Sequence, residues 1–126
     1  MRKGVKPQMM HGLLLLESLA DTNALDLIHQ TRTETWQVRN TAPYQPTVWT
    51  AISFEADESQ ADAIANAFSR ALKQGWYINA STGTQVYVAF PNRVFKYLKG
   101  DIYERQAVKE HGLSLGIPEH QLDWEE

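Results

Sequence analysis

No cysteine occurs among the 126 residues. That excludes a disulfide framework, a thiolate nucleophile and every cysteine-ligated zinc site, and it makes a cytoplasmic location the expectation. Long apolar runs are also missing. The leucine run Leu13–Leu16 falls far short of the about 20 apolar residues that a membrane-spanning helix needs. It is too short for the apolar segment of a secretory signal as well, although Arg2, Lys3 and Lys6 precede it. Neither membrane insertion nor secretion is expected. Basic charge is scarce: 12 Lys and Arg against 15 Asp and Glu give a net charge of −3, whereas general polyanion binders carry a positive excess. No G-x-G-x-x-G, Walker-type loop, G-x-S-x-G or H-E-x-x-H is present, so no cofactor, metal site or catalytic residue is predicted from motifs.

What is there has the balance of a globular domain, with 43% apolar and 21% charged residues. Residues 1–11 lack periodicity and read as a flexible leader; residues 12–126 read as one α+β domain with its C-terminal segment packed back on it. The two ends are electrostatically opposite. The first twelve residues hold three cations and no acid, and Glu104–Glu126 holds six acids against Arg105 and Lys109.

From Gly12, "GLLLLESL" predicts a central strand buried on both faces. "DTNALDLIHQTR" predicts a short helix capped by Asp21, Thr22 or Asn23. "TETWQVRN" alternates, with Trp36 and Val38 on one face, and "TAPYQP" interrupts it with two prolines. "TVWTAISFE" resumes as a long strand with Val48, Ile52 and Phe54 on one face and Trp49 and Ala51 on the other. Ala61, Ile64, Ala65, Phe68 and Leu72 recur at helical spacing behind an Asp57 cap, ahead of a terminating Gly75. Three β-rich runs follow. Pro91-Asn92 joins the last two as a hairpin turn, Gly100 ends the β region, and Asp101 caps a helix that stops at Gly112. Leu113, Leu115, Ile117, Leu122 and Trp124 make the ending too apolar for a free tail.

This order predicts a βαββαβ plait: an antiparallel sheet with Leu13–Leu16 at its centre and two helices on one face, plus an added C-terminal hairpin strand and a terminal helix. Over residues 12–99 it resembles the ferredoxin-like plait of small bacterial proteins of the PII signal-transducer and CutA type. The resemblance rests on element order. It implies a homo-oligomer, dimer or trimer, built through the sheet, with a small-molecule ligand between subunits. ATP binding is not implied, because "TAPYQP" is short where PII proteins carry a long regulatory loop. The ending "EHGLSLGIPEHQLDW" also resembles an uncharacterised bacterial family, to which no activity attaches.

Four groups of residues carry candidate chemistry. In "FPNRVFKYLKGD", Arg93, Lys96 and Lys99 interleave with Phe95 and Tyr97, a pattern able to hold phosphates and stack bases. The RNA-recognition signature is absent from "TVWTAISFE", however, so edge-strand solubilisation is favoured over nucleic acid. The acidic ending is a second counterpart for these cations, making the strand a docking seam for the chain's own tail. Glu110-His111 and Glu119-His120 are adjacent acid–histidine pairs that serve acid–base chemistry if brought to a pocket; surface histidines are the plainer reading. Glu55, Asp57 and Glu58 are explained by helix capping. Trp36, Trp49, Trp76 and Trp124 suit a core, a subunit interface or a pocket wall, and a pocket further requires convergent polar groups. The leading expectation is a homo-oligomeric binding or regulatory module without evident catalytic machinery. The alternatives are a small enzyme using a histidine–glutamate pair in an aromatic cleft, and a single-stranded nucleic-acid binder.

Overall fold

Period-two alternation along one central strand decides which residues each side of the sheet receives. In the computed structural model, which describes residues 8–126, six antiparallel strands form a single sheet of order β2-β3-β1-β4-β5-β6. These are β1 (Met9–Leu15), β2 (His29–Gln37), β3 (Val48–Asp57), β4 (Ile78–Ser81), β5 (Gln85–Phe90) and β6 (Arg93–Leu98). The helices are α1 (Ala61–Ala71) and α2 (Ile102–Ser114). The architecture is thus α+β. No helix among the described residues is long and apolar enough to cross a membrane. β1 starts at Met9 rather than at Gly12, so residues 9–11 belong to the sheet and not to a leader; Gln8 O accepts from Glu58 N at 2.9 Å, and residues 1–7 of the expected leader lie outside the described residues.

Met10 and Leu14 of β1, with Ile52 and Phe54 of β3 and Ile78 and Ala80 of β4, form the face on which α1 lies. α1 meets them with Ile64, Ala65 and Phe68, and Phe68 packs edge-on against Phe54 with centroids 5.4 Å apart. Asp57 accepts a hydrogen bond from Ser59 N at 2.9 Å, and a 3-10 turn, Glu58–Gln60, leads into the helix. The helix ends two residues before Lys73, because Leu72 turns extended and bridges to Leu19.

The opposite face has a different cover. Val86, Val88, Phe90 and Tyr97 are packed under Val108 of α2 and under Ile117, Leu122 and Trp124 of the C-terminal segment. The expected pair of helices on one face is therefore corrected. The segment after β1 forms only short 3-10 turns, of which Asn23–Leu27 is the longer, because β2 already begins at His29 and Thr22 makes no capping bond. β1 likewise is buried on one side only: Leu13 and Leu15, on the second face, are partly exposed.

Gly112 does not stop α2, which continues to Ser114 and terminates at Gly116 in the left-handed region (φ +83°). A Cβ at Gly112 would stand 2.7 Å from Leu122 Cδ2 and 3.3 Å from Phe90, so the residue is small to let the terminal segment dock. At the Pro91-Asn92 turn, Asn92 takes φ +63° and its N–H donates to Ser69 O at 3.1 Å, while Ser69 Oγ donates to Phe90 O at 2.7 Å. The β5–β6 hairpin is thereby bolted to α1.

Gly12 supplies a direct test of the central packing. An added Cβ would lie 2.4 Å from the Phe54 ring, 2.7 Å from Asn79 O and 2.8 Å from Ala80 Cβ. Alanine normally gains about 0.5–1 kcal/mol over glycine inside a strand, but overpacking of this kind costs about 1–3 kcal/mol or more. Gly12→Ala is expected to lower the urea midpoint, whereas Gly83→Ala, with no atom within 4 Å of the new methyl, leaves it unchanged. Equal midpoints for the two variants would contradict the packing described.

Candidate functional site

The cover on the second face is incomplete. α2 and the C-terminal segment lie over β5 and β6, and between that segment and the uncovered part of β1 and β3 runs a cleft of about 650 Å³. All four tryptophans line it. The β2–β3 register sets Trp36 directly opposite Trp49, and Trp49 meets Trp76 edge-on with centroids 5.3 Å apart. On the other wall Trp124 meets Tyr77 at 5.7 Å. A broader depression beside α2, lined by Arg105, Lys109, Glu119 and His120, is open and carries no large aromatic ring.

Polar groups converge on the same cleft. Antiparallel pairing sets Asn79 beside Leu13 and Ser81 beside His11, so that all four side chains share the face. Among the described residues the side chains of Asn79 and Ser81 make no hydrogen bond; the other indoles donate, Trp36 to Glu34 (3.0 Å), Trp49 to Pro46 O (2.8 Å) and Trp124 to Tyr97 Oη (2.8 Å). The Trp76 indole donates to nothing described, although the residue is only 5% exposed. No fully buried polar side-chain atom among the described residues lacks a partner, so this N–H opens to solvent. Asp123 and Glu125 border the cleft without a cation partner among the described residues.

The wall formed by the tail is held at both ends. Near its start, Gln45 and Gln121 exchange amide hydrogen bonds (3.0 and 2.8 Å), the His120 ring contacts Asn40 O at 3.0 Å, and Tyr77 donates to Gln121 O. Burial, with the Asp123 charge adding to it, pushes the Tyr77 phenol well above its ordinary range, so it stays protonated as a donor. Tyr44 donates to Gly75 O at 3.0 Å, and its ring occupies the place of a side chain at Gly75, whose φ is +89°. At the far end Tyr97 donates to Glu126 (2.7 Å). Arg105 pairs with Glu126 (3.2 Å), donates to Trp124 O (2.6 Å) and lies 4.7 Å from the Trp124 ring centroid.

The other sequence candidates are dispersed. Arg93 stacks on Phe95 at 4.4 Å, and Lys96 pairs with Asp62 of α1 at 3.2 Å, with its ammonium 5.4 Å from the Tyr87 ring. The tail does dock on Tyr97, but its carboxylate takes Arg105 rather than the cations of β6, which correct the expected charge seam. His111 sits against Phe90 and Phe95 (centroids 4.9 and 5.1 Å), and burial together with Arg93 lowers its pKa. Glu110 bonds Gln106 at 3.4 Å, and Glu119 pairs with Lys109 at 3.6 Å. Neither adjacent acid–histidine pair joins, and neither His111 nor His120 lines the aromatic cleft. Among the described residues no group of three or more His, Asp and Glu is placed to hold a metal ion. Asn79 and Ser81 escaped sequence reasoning, although their alternation with Ile78 and Ala80 was a usable signal.

No family model matches the chain, and neither a curated protein nor a solved structure matches it.

The Glu126 anchor imposes a pH dependence. The Gly100 N–H, then Tyr97 and Arg105, hold its carboxyl below the ordinary glutamate range. A depressed folded pKa contributes stability that is present above the unfolded value and lost as pH falls through the folded one. Near-ultraviolet circular dichroism from Trp124 and Tyr97 is expected to weaken on acidification below the ordinary glutamate range. Glu126→Gln should remove that transition, and an unaltered transition in the variant would place the anchor elsewhere.

Proposed function

We propose that the chain is a binding module whose ligand site is the tryptophan-lined cleft, set on a ferredoxin-like plait extended by the β5–β6 hairpin and by α2. Supporting the plait is the placement of β1 between β3 and β4, antiparallel to both, with β2 beyond β3. This arrangement is similar to the PII and CutA layout, with the first helix reduced to 3-10 turns. The observation that carries the functional reading is convergence. Four indoles from β2, β3, the α1–β4 connection and the tail meet in one cleft with the Asn79 amide, the Ser81 hydroxyl and the Trp76 N–H, which have no partner among the described residues. A cleft of about 650 Å³ falls within the range of about 300–1,000 Å³ typical of small-molecule sites, which combine apolar walls with a few placed polar groups.

Binding is favoured over acid–base catalysis. Among the described residues the acid–histidine approach at the cleft is His11–Glu55 at 3.9 Å, longer than a hydrogen bond. Nucleic-acid binding by β6 is disfavoured because Lys96 is committed to Asp62 and Tyr97 to Glu126. Self-association belongs to the reading and draws support from a different place. Leu98, Ile102 and Tyr103 are 60%, 70% and 84% exposed around the end of β6. By contrast, a bulge at Gln30/Arg32 and the charges of Arg32 and Glu34 blunt the outer edge of β2.

Benzyl alcohol, a small neutral aromatic probe, tests the site. In nitrogen–proton correlation spectra it is expected to shift the indole N–H signals of Trp36 and Trp76. Trp36→Ala, which removes a half-exposed wall, should weaken the probe's apparent affinity by about tenfold, equivalent to ~1.4 kcal/mol. Absence of indole shifts at millimolar probe, or identical affinity in the variant, defeats the cleft as a ligand site.

A further inference from the structure

We infer that the ligand of this cleft is a small organic cation, an amine or guanidinium carried on a flat apolar body; the inference rests on the cleft being a ligand site. Its first support is the charge left over after the local ion pairs are formed. Around the cleft, Arg32 is paired with Glu34 at 2.5 Å and Arg105 with Glu126 at 3.2 Å. His11 lies 3.9 Å from Glu55. What remains is Asp123 and Glu125, two exposed carboxylates on the tail side, facing no cation among the described residues.

The second support is the aromatic lining. Indole and phenol rings present negative faces that attract a cation and repel an anion, most strongly for tryptophan. Carboxylates beside a poorly hydrated aromatic wall act through a lower effective dielectric than they would in water. The two effects favour the same sign of ligand. An anionic ligand would meet Asp123, Glu125 and the ring faces together.

The protein already satisfies one cation in this manner. Arg105 lies over the Trp124 ring at 4.7 Å, pairs with Glu126 at 3.2 Å and donates to Trp124 O at 2.6 Å. An aromatic face, a carboxylate and a carbonyl thus hold a guanidinium on the far side of the tail. The cleft offers the same classes of partner with no Lys or Arg among its described lining residues: indole walls, the carboxylates of Asp123 and Glu125, and the Asn79 amide oxygen. A flat body suits indole walls, on which it can stack, and the Trp76 N–H, without a partner among the described residues, suits an acceptor on that body.

Phenethylamine and 3-phenylpropionate share a phenyl body and differ in charge. Titrated into the full chain at low salt and followed by the indole N–H signals, phenethylamine is expected to bind at least about tenfold tighter than 3-phenylpropionate. Asp123→Asn with Glu125→Gln, at two exposed positions outside the Arg105–Glu126 pair, should reduce that preference several-fold, leaving the part due to the ring faces, with benzyl alcohol affinity and the thermal midpoint unchanged. Equal or tighter binding of the carboxylate, or a preference undiminished in the double variant, overturns the cation assignment while the cleft still binds benzyl alcohol. Failure of all three probes overturns it together with the site itself.

Discussion

A sheet of six strands has two faces to remove from water, and the described residues supply one strongly amphipathic helix with which to do it. α1 covers the face of Met10, Leu14, Ile52 and Phe54. The other face falls to α2, which buries only Val108 and Gly112, and to a tail with little regular structure. Such a tail has few backbone hydrogen bonds of its own, so side chains must fix it. Gln45 and Tyr77 do this from the β2–β3 and α1–β4 connections, Tyr97 from β6 and Arg105 from α2. The cleft is the place where that cover stops.

Elements with strong, local periodicity were legible in the sequence. α1 has an uninterrupted apolar stripe, β3 alternates from Ile52 to Asp57, and the β5–β6 hairpin carries a proline and an asparagine where its turn needs them. Within Asp21–Arg32 a short helix is the sequence expectation because Leu25 and Ile28 have helical spacing, whereas pairing of His29 and Gln30 with β3 leaves too few residues for one. Gly112 was misread as a terminator for a related reason. Its smallness serves Leu122, a contact ten positions away, which a local rule for helix ends does not register.

The walls of the site were more legible than its floor. Tryptophan announces a large surface that must be placed somewhere, so Trp36 and Trp49 drew notice as a pair before their cross-strand register was known. The floor depends on that register. Asn79 and Ser81 become neighbours of Leu13 and His11 only through β1–β4 pairing, across more than sixty positions of chain. Adjacency misled in the opposite direction. Consecutive residues on a helix point about 100° apart, so Glu110 and His111 separate, the histidine onto Phe90 and Phe95 and the acid toward Gln106. On a strand, consecutive residues take opposite faces, which sends Lys96 to α1 and Tyr97 to the tail.

The open half of the face is consistent with its polar residues in a way that a larger cover would not be. Were the tail extended across β1, it would bury the Asn79 amide and the Ser81 hydroxyl, neither of which has a partner among the described residues, at about 1–3 kcal/mol for each unsatisfied group. It would also desolvate Asp123 and Glu125 beside apolar rings, which is costlier still for unpaired charges. Leaving these groups wet keeps Leu13, Leu15 and Trp36 partly exposed, a smaller penalty at about 25 cal/mol per Å² of apolar surface. A molecule that brings its own hydrogen-bond partners and a positive charge removes both costs together. On the proposed reading, the polar floor that keeps the tail from closing over the sheet is also what would select a ligand's chemistry.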